Sequence, residues 1–291
     1  MPYVTNRGAR LYWEEHGSGP PVLLIMGLSF TLEMWFRVVP HLIQSYRVIL
    51  FDNRGIGRSD VPRGPYTIPT MASDAIAVLD AAGVAAAHVV GASMGGMIAQ
   101  ELTLRYPERV HSLILGCTAC RGLFSKWPNF RKGPNQIGWF RADRLQRERG
   151  MRQMLYAVDT LEELIEEDIG IRCRCNWTYK GVLSQLAGIL LWSSYRRLPS
   201  IKAPTLVVHG EEDHLLPPQN GQLVASRIPG ARFELMPRAG HIFITDQPET
   251  TMRHLLGFLQ QVSEEMVESP QPVTAFPALK KAKLETEPRT Q

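Results

Sequence analysis

The sequence predicts an α/β fold, in which a mostly parallel β-sheet carries helices on both faces. Short β-branched runs alternate with amphipathic helical patterns over short connections, which is typical of a parallel sheet covered by helices. In the middle of this alternation, the run His88-Val89-Val90 leads through Gly91-Ala92-Ser93-Met94-Gly95 directly into a helical pattern. This Gly-x-Ser-x-Gly order places one serine at a strand-to-helix corner, where its hydroxyl would stand clear of the sheet at a helix N-terminus.

The chain before this corner predicts four strands. We predict them at residues 2–5, 9–15, 22–26 and 47–51. The third strand ends in Met26-Gly27-Leu28-Ser29, where small residues let the backbone approach a ligand. The fourth leads into a charged, glycine-rich loop, and we expect Asp52 and Arg54 to fix that loop through charge-assisted hydrogen bonds.

The same alternation predicts the helices and the later strands. We predict helices at residues 68–82 and 94–106 and from about 247 to 262. Thr67 is placed to cap the first helix, and Asp246 with Glu249 forms a capping box for the last. We predict the later strands at residues 88–90, 110–115, 203–209 and 233–236.

A change of composition from about residue 121 predicts a helical insertion between two parts of one core. Residues 121–155 hold nine basic residues against two acidic ones, and an acidic helical stretch follows at 159–168. Beyond Ser263 few large apolar residues remain among Pro, Glu, Lys and Thr, so we expect a disordered tail. We therefore divide the chain into a core at 1–120 and 197–263, an insertion at 121–196 and a tail at 264–291.

The composition limits the partners that the chain can take. A formal net charge of +4 over 291 residues is mild, and the basic residues are not interleaved with aromatic ones in a nucleic-acid-binding pattern, so we expect no nucleic-acid partner. The longest apolar stretch, at 22–30, is about half the length of a membrane span, and no apolar signal segment lies near Met1. We therefore expect a soluble, cytoplasmic protein with no membrane partner.

The four cysteines form two close pairs, Cys117 with Cys120 and Cys173 with Cys175. No set of Cys and His residues at zinc-finger spacing accompanies them, and the first pair follows a predicted buried strand. We expect free thiols, with no bound metal and no cofactor.

Two side chains are candidates to activate Ser93. Serine is a poor nucleophile until a base takes its proton, and a histidine base needs an acid to hold its tautomer. Asp213 and His241 each follow a predicted strand within five residues. Because parallel strands bring the loops at their carboxyl ends to one edge of a sheet, both residues would meet Ser93 there.

Other side chains in the same loops compete for these positions. His214 competes for the base position, although a residue adjacent to the acid points the wrong way to bridge it to the serine. Glu211 and Glu212 compete for the acid position, from places nearer the strand.

Two backbone N–H groups are candidates to hold an oxyanion beside Ser93. Met94 begins the helical pattern, so its N–H lies at a helix N-terminus. If the strand at 22–26 lies beside the one that carries Ser93, the N–H of Leu28 joins it.

Four motifs stand out in order along the chain. They are Asp52-Asn53-Arg54-Gly55-Ile56-Gly57-Arg58-Ser59, Gly91-Ala92-Ser93-Met94-Gly95, Gly210-Glu211-Glu212-Asp213 with Pro217, and Gly240-His241. Over roughly 1–120 and 200–262 the chain thereby resembles the α/β-hydrolase superfamily. The resemblance implies an eight-stranded, mostly parallel sheet with a cap inserted after the sixth strand. It also implies a nucleophile, a base, an orienting acid and two oxyanion donors, which are Ser93, His241, Asp213, Leu28 and Met94.

One pair of residues departs from the pattern of many superfamily members, which carry His-Gly where this chain has Met26-Gly27. The Met-Gly variant, with Trp35 soon after it, is similar to the methylesterase-like and aminoacrylate-hydrolase-like branches. In such folds the cap sets substrate choice, so Trp127 and Trp139 of the insertion, together with Trp35 of the core, are the candidate substrate-binding residues. In the alternative interpretation, the aromatic residues of the insertion only pack it against the core.

These observations together predict a cofactor-free serine hydrolase that cleaves a small-molecule ester, thioester, lactone or related acyl bond through an acyl-enzyme on Ser93. A carbon–carbon bond hydrolase or lyase can use the same triad, and a non-catalytic binding protein can share the fold. A haloalkane dehalogenase would need a carboxylate where Ser93 stands. We expect a small-molecule substrate as the partner, and a monomer or homodimer as the assembly.

Overall fold

A computed structural model describes residues 3–122, 125, 150 and 152–268 of the chain. Its strands are β1 (Tyr3–Asn6), β2 (Ala9–His16), β3 (Pro21–Ile25), β4 (Arg47–Phe51), β5 (Ala87–Ala92), β6 (Val110–Gly116), β7 (Thr205–Gly210) and β8 (Arg232–Met236). Within the described residues they form one sheet of eight strands in the order β1-β2-β4-β3-β5-β6-β7-β8. The predicted strands are confirmed, with ends that differ from the observed ones by two residues at most.

The direction of the strands decides where the loops meet. β1 pairs with β2, and β2 with β4, in the antiparallel sense. From β4 through β3, β5, β6 and β7 to β8, each neighbouring pair is parallel. The carboxyl ends of β3, β5, β7 and β8 therefore lie along one edge of the sheet, which gathers the loops that carry the predicted catalytic residues.

Helices connect most of the parallel strands. They are α1 (Val39–Leu42), α2 (Ile68–Ala81), α3 (Met94–Arg105), α4 (Glu162–Arg174), α5 (Tyr179–Leu190), α6 (Gln219–Arg227), α7 (Phe243–Asp246) and α8 (Pro248–Glu268). The predicted cap of α2 is confirmed, because the side chain of Thr67 accepts a hydrogen bond from the Thr70 backbone N–H at 3.2 Å. α4 and α5 lie between β6 and β7, in the segment that we predicted as an insertion.

Two apolar clusters cover the two faces of the sheet. Along β3, Leu23 and Ile25 pack in the cluster that contains the buried side of α2 and α3. Val22 and Leu24 point to the other face and pack in the cluster that contains the buried side of α8. Because side chains alternate across a strand, a strand buried on both faces needs an unbroken apolar run, and all four of these side chains have no exposed surface.

The start of the last helix differs from its prediction. α8 begins at Pro248, a residue that suits the first helical position because it has no N–H to leave unpaired. Asp246 is the last residue of α7, and its carboxylate contacts residues outside α8. The predicted capping box of Asp246 with Glu249 is therefore wrong.

The end of the last helix also corrects the predicted start of the tail. α8 continues to Glu268, so residues 264–268 are helical and not disordered. Side-chain hydrogen bonds one turn apart support this extension, because glutamine amides donate to glutamate carboxylates at 2.9 Å. The remaining tail, 269–291, lies outside the described residues. Across the described part of the chain, no helix combines the length and the apolar character that a membrane crossing needs.

Candidate active site

Ser93 occupies a strained corner between β5 and α3. Its backbone has φ 55° and ψ −119°, a conformation that costs a non-glycine residue on the order of 1–3 kcal/mol. A Cβ on Gly95 would collide with the backbone carbonyl of Ile25, so only glycine lets α3 start this close to β3. The side chain of Ser93 remains partly exposed, as a nucleophile that meets a substrate must be.

His241 lies in the loop after β8 and bridges two side chains. Its Nε2 is 3.0 Å from Ser93 Oγ, and its Nδ1 is 2.8 Å from Asp213 Oδ2. Since a carboxylate only accepts, Nδ1 carries the proton and Nε2 accepts the hydrogen bond of the serine hydroxyl. The structure thus brings together Ser93, Asp213 and His241, which we predicted from their positions in three separate loops.

Asp213 is held in its ionised form. Its Oδ1 accepts hydrogen bonds from the backbone N–H groups of Leu215 at 3.0 Å and Leu216 at 2.8 Å. Burial alone would raise the pKa of Asp213, but the charge of His241 and hydrogen bonds from His209 and His241 hold that pKa below its ordinary value. The carboxylate therefore fixes the tautomer of His241 and stabilises the imidazolium that forms when His241 takes a proton.

A second histidine lies against the same carboxylate. His209 Nε2 lies 3.2 Å from Asp213 Oδ2 and donates to the Leu216 carbonyl at 2.7 Å. Cys117 lies nearby, so Cys117, His209 and Asp213 bring possible metal-ligand atoms within 4.8 Å of one another. Burial raises the pKa of the Cys117 thiol well above its ordinary value, which opposes the thiolate that a metal needs. The three residues fit the support of the acid better than a metal centre.

The competing side chains lie elsewhere. His214 is exposed, and so is Glu211. The carboxylate of Glu212 accepts a hydrogen bond from the Val158 backbone N–H at 2.9 Å. Geometry therefore favours His241 over His214 and Asp213 over either glutamate.

The two predicted oxyanion donors lie close to the serine, Leu28 in the segment after β3 and Met94 as the next residue in the chain. A Cβ on Gly27 would come within 3.0 Å of Ser93 Cβ and 3.6 Å of Ser93 Oγ, so the Gly27-Leu28 backbone passes directly beside the hydroxyl. Met94 is the first residue of α3. Within the described residues, neither the Leu28 N–H nor the Met94 N–H donates to a protein group. Both donors are free to bind an oxyanion.

The loop after β4 makes hydrogen bonds to the segment on both sides of Gly27 and Leu28. Asp52 Oδ1 accepts from the Leu32 backbone N–H at 2.9 Å, and the Asn53 amide donates to the Met26 carbonyl at 2.9 Å. Arg54 forms a two-pronged ion pair with the buried Asp74, with both N···O distances 2.6 Å. These charge-assisted contacts fix the loop and leave the chemistry to other residues.

Of the three predicted substrate-binding tryptophans, the described residues include Trp35. Trp35 has no exposed surface and packs in the apolar cluster on the α8 side of the sheet, so it offers no surface to a substrate. This burial corrects the prediction for Trp35. Trp127 and Trp139 lie outside the described residues.

Two residues of the site were not recognised from the sequence. Asp246 accepts hydrogen bonds from the Gly240 backbone N–H at 2.6 Å and from the Thr160 hydroxyl at 2.6 Å, and so ties the His241 loop to the insertion. Gln185 of α5 is fully buried and contacts the loops after β3 and β4. Its Oε1 accepts from the Ser29 backbone N–H, and its Nε2 donates to the Arg54 carbonyl. A glutamine inside an apolar helix pattern was the only signal for Gln185, and the capping-box interpretation obscured Asp246.

The family model described as alpha/beta hydrolase fold matches residues 20–151 and 170–248 of this chain. The chain belongs to the α/β-hydrolase family. A relative from Azorhizobium caulinodans, assigned as the carbamate hydrolase RutD, is 33% identical over 272 residues, which cover 91% of this chain and 100% of that protein. The resemblance predicted from the four motifs is thereby confirmed.

Two solved structures of family members are similar to this one. Est816, described as an N-acyl homoserine lactone degrading enzyme, is 32% identical, with a TM-score of 0.77 over 88% of this chain and 100% of that one. The enol-lactonase from Burkholderia xenovorans is 27% identical, with a TM-score of 0.76 over 89% of this chain and 100% of that one. All three α/β-hydrolases are named for bond-breaking reactions, which supports a hydrolytic function for this chain.

Proposed function

We propose that this α/β-hydrolase is a serine hydrolase that cleaves an ester, thioester, lactone or related acyl bond of a small molecule through an acyl-enzyme. The observation that carries the proposal is the continuous hydrogen-bond chain from Ser93 Oγ through His241 to Asp213, with links of 3.0 and 2.8 Å. Ser93, at the end of these hydrogen bonds, is partly exposed, and within the described residues the backbone N–H groups of Leu28 and Met94 donate to no protein group. Such an arrangement suits attack on a carbonyl carbon.

In the first half of the reaction, Ser93 Oγ bonds to the carbonyl carbon of the substrate while His241 Nε2 takes the hydroxyl proton. The carbonyl oxygen becomes negative, and the N–H groups of Leu28 and Met94 stabilise it, at about 3 kcal/mol for each donor. His241 then gives the proton to the leaving oxygen or sulfur as its bond to carbon breaks. The acyl group stays on Ser93.

In the second half, a water molecule attacks the acyl carbon and His241 Nε2 takes its proton. A second oxyanion forms between the same two N–H groups, and His241 returns the proton to Ser93 Oγ as the acid product leaves. Asp213 remains ionised throughout, because its low pKa keeps the proton on His241. Ser93, His241 and Asp213 are then in the protonation states in which they started.

The choice of acyl substrates follows from this chemistry together with the relatives. A carbamate hydrolase, an N-acyl homoserine lactone degrading enzyme and an enol-lactonase all have names that point to attack at a carbonyl. The same serine, base and oxyanion donors serve each of these bonds. We therefore place the substrate in the class of small molecules with an activated acyl bond.

Labelling with a fluorophosphonate probe tests the proposal. We expect stoichiometric modification of wild-type protein at Ser93, located by mass spectrometry of the peptide, because the probe needs both the nucleophile and its base. Ser93→Ala and His241→Ala should abolish the labelling. His214→Ala, at an exposed histidine in a neighbouring loop, is the matched control and should label like wild type. A folded wild-type protein that stays unlabelled would overturn the proposal in favour of a non-catalytic binding protein.

A further inference from the structure

We propose, resting on the function proposed above, that Gln185 is a positioning residue that holds the turn carrying the Leu28 N–H of the oxyanion hole. Gln185 belongs to α5 in the insertion, whereas Leu28 follows β3 in the core. The two are joined through Ser29, whose backbone N–H donates to Gln185 Oε1 at 3.2 Å.

The loop that carries Leu28 is a tight turn with an internal weakness. The Phe30 N–H donates to the Gly27 carbonyl at 3.4 Å, a long hydrogen bond that closes a four-residue turn. Ser29 has φ 64° while Leu28 does not have a positive φ, and these are the signs of φ in a type II turn. This turn type requires a positive φ at its third residue, where serine is less favourable than glycine or asparagine. The turn therefore needs support from outside.

Gln185 supplies that support in one orientation only. Its side chain has no exposed surface. Its Nε2 donates to the Arg54 carbonyl at 2.9 Å while its Oε1 accepts from Ser29. A rotated amide would set Nε2 against the Ser29 N–H and Oε1 against the Arg54 carbonyl, so the two bonds fix the amide together.

The amide of Gln185 selects between two forms of the turn. Ser29 could relieve its backbone strain by a rotation of the peptide between Leu28 and Ser29, which would change the turn to type I. That rotation would direct the Leu28 carbonyl toward Gln185 Oε1, so two acceptors would face each other. Gln185 thereby opposes the rotation and holds the peptide that follows Leu28, and with it the form of the turn that carries the Leu28 N–H.

The helix that carries Gln185 has little freedom to move. A Cβ on Gly181 would collide with the Gly55 carbonyl, and one on Gly188 would collide with the Tyr66 carbonyl. Both glycines lie in α5 and let its backbone rest directly on the core. Among the described residues, the other polar contacts to this loop hold Met26, Thr31 and Leu32, and Gln185 alone holds the central peptide of the turn.

Steady-state kinetics on a p-nitrophenyl ester, together with binding of a trifluoromethyl ketone, test the proposal. The ketone forms a tetrahedral adduct with the serine and needs the same oxyanion donors. For Gln185→Met, which keeps the size but loses both hydrogen bonds, we expect kcat to fall about tenfold or more with little change in KM. The inhibition constant of the ketone should rise by a similar factor. The pH profile should keep its acid limb, because His241 and Asp213 are untouched.

Three further variants separate positioning from a general loss of structure. Gln185→Glu, which burial keeps protonated, has an acceptor for the Ser29 N–H and a donor for the Arg54 carbonyl, so it should retain more kcat than Gln185→Met. Ser29→Gly added to Gln185→Met should restore part of kcat, because glycine adopts a positive φ without strain. Leu183→Met, at an exposed position of the same helix, should behave like wild type and is the matched control.

Two results would overturn the proposal. One is a folded, fluorophosphonate-labelled Gln185→Met protein whose kcat and ketone affinity stay within twofold of wild type. The other is a loss of kcat that Ser29→Gly leaves unchanged, since this would show that Gln185 acts otherwise than through the turn. If wild-type Ser93 itself is not labelled, the proposed function fails first, which keeps the two failures distinguishable.

Discussion

Ser93 and Asp213 show how single residues of this chain accept an unfavourable state that the surroundings hold in place. Ser93 keeps a strained backbone because β5, α3 and two glycines fix both sides of the corner. Asp213 keeps a charge inside the protein because three hydrogen-bond donors, two of them backbone N–H groups, contact its carboxylate, and His209 Nε2 lies 3.2 Å away. The strained backbone presents the proposed nucleophile, and the buried charge fixes the tautomer of His241.

Asp246 acts at the same scale on the base. Its Oδ2 accepts from the backbone N–H groups of Gly240 at 2.6 Å and Ala157 at 3.3 Å, and its Oδ1 accepts from the Thr160 hydroxyl. Gly240 directly precedes His241 in the chain. The carboxylate therefore holds the main chain of the base against the insertion, and burial raises the pKa of Asp246 to about 6.

Substitutions of Asp246 should separate its shape from its charge. Asp246→Ala leaves two buried N–H groups without an acceptor, so we expect the free energy of unfolding to fall by about 2–3 kcal/mol and kcat to fall about tenfold. Asp246→Asn can place its oxygen on the two N–H groups and its amide on Thr160, so it should stay close to wild type in both. The measurements are chemical denaturation and ester turnover at pH 8, where the wild-type carboxyl is ionised. Equal losses in the two variants would contradict this account of the contacts.

At the scale of elements, the fold was predictable from local patterns. β3 is a short apolar run at 21–25 that follows Pro20 and ends before Gly27, and β5 is a short run at 87–92 whose Val89-Val90 pair leads into the Gly-x-Ser-x-Gly corner. Thr67 likewise caps α2 as its position indicates. The three catalytic candidates were predictable because each stands in a loop at the carboxyl end of a parallel strand, where topology alone brings residues together.

The contacts that link the insertion to the core were not predictable from local patterns. Gln185 and Ser29 are 156 residues apart, and Asp246 and Thr160 are 86 apart. A local pattern gives no sign of such a partner, and it favoured a competing role for Asp246 as a helix cap. Trp35 was misread for a similar reason, because an aromatic residue after an oxyanion loop can pack inward as readily as line a pocket.

At the scale of the whole molecule, the packed sheet buries a histidine, His88, away from the active site. His88 of β5 is 1% exposed, with Nδ1 2.8 Å from Ser112 Oγ. Burial, together with the charge of His111, lowers the pKa of His88 to about 4. An unfolded chain would protonate this histidine near pH 6.5, whereas the folded chain resists protonation until about pH 4.

The fold should therefore lose stability as the pH falls. The unfolded state binds the proton of His88 first. The contribution of His88 to the free energy of unfolding is therefore fully present above pH 6.5, and about 3 kcal/mol of that free energy is lost as the pH falls from 6.5 to 4. Urea denaturation at several pH values should show a shallower loss in His88→Asn than in wild type. His214→Asn, at an exposed histidine, is the control and should follow wild type. Parallel curves for wild type and His88→Asn would contradict the prediction.

The acyl-enzyme on Ser93 is the central claim, and rapid-quench mass spectrometry of the intact protein during turnover of a p-nitrophenyl ester tests it most directly. We predict a burst of p-nitrophenol equal to the enzyme concentration and a mass increase of one acyl group, located by peptide mapping on Ser93. Ser93→Ala should show neither the burst nor the adduct. Turnover by Ser93→Ala at the wild-type rate would contradict the account.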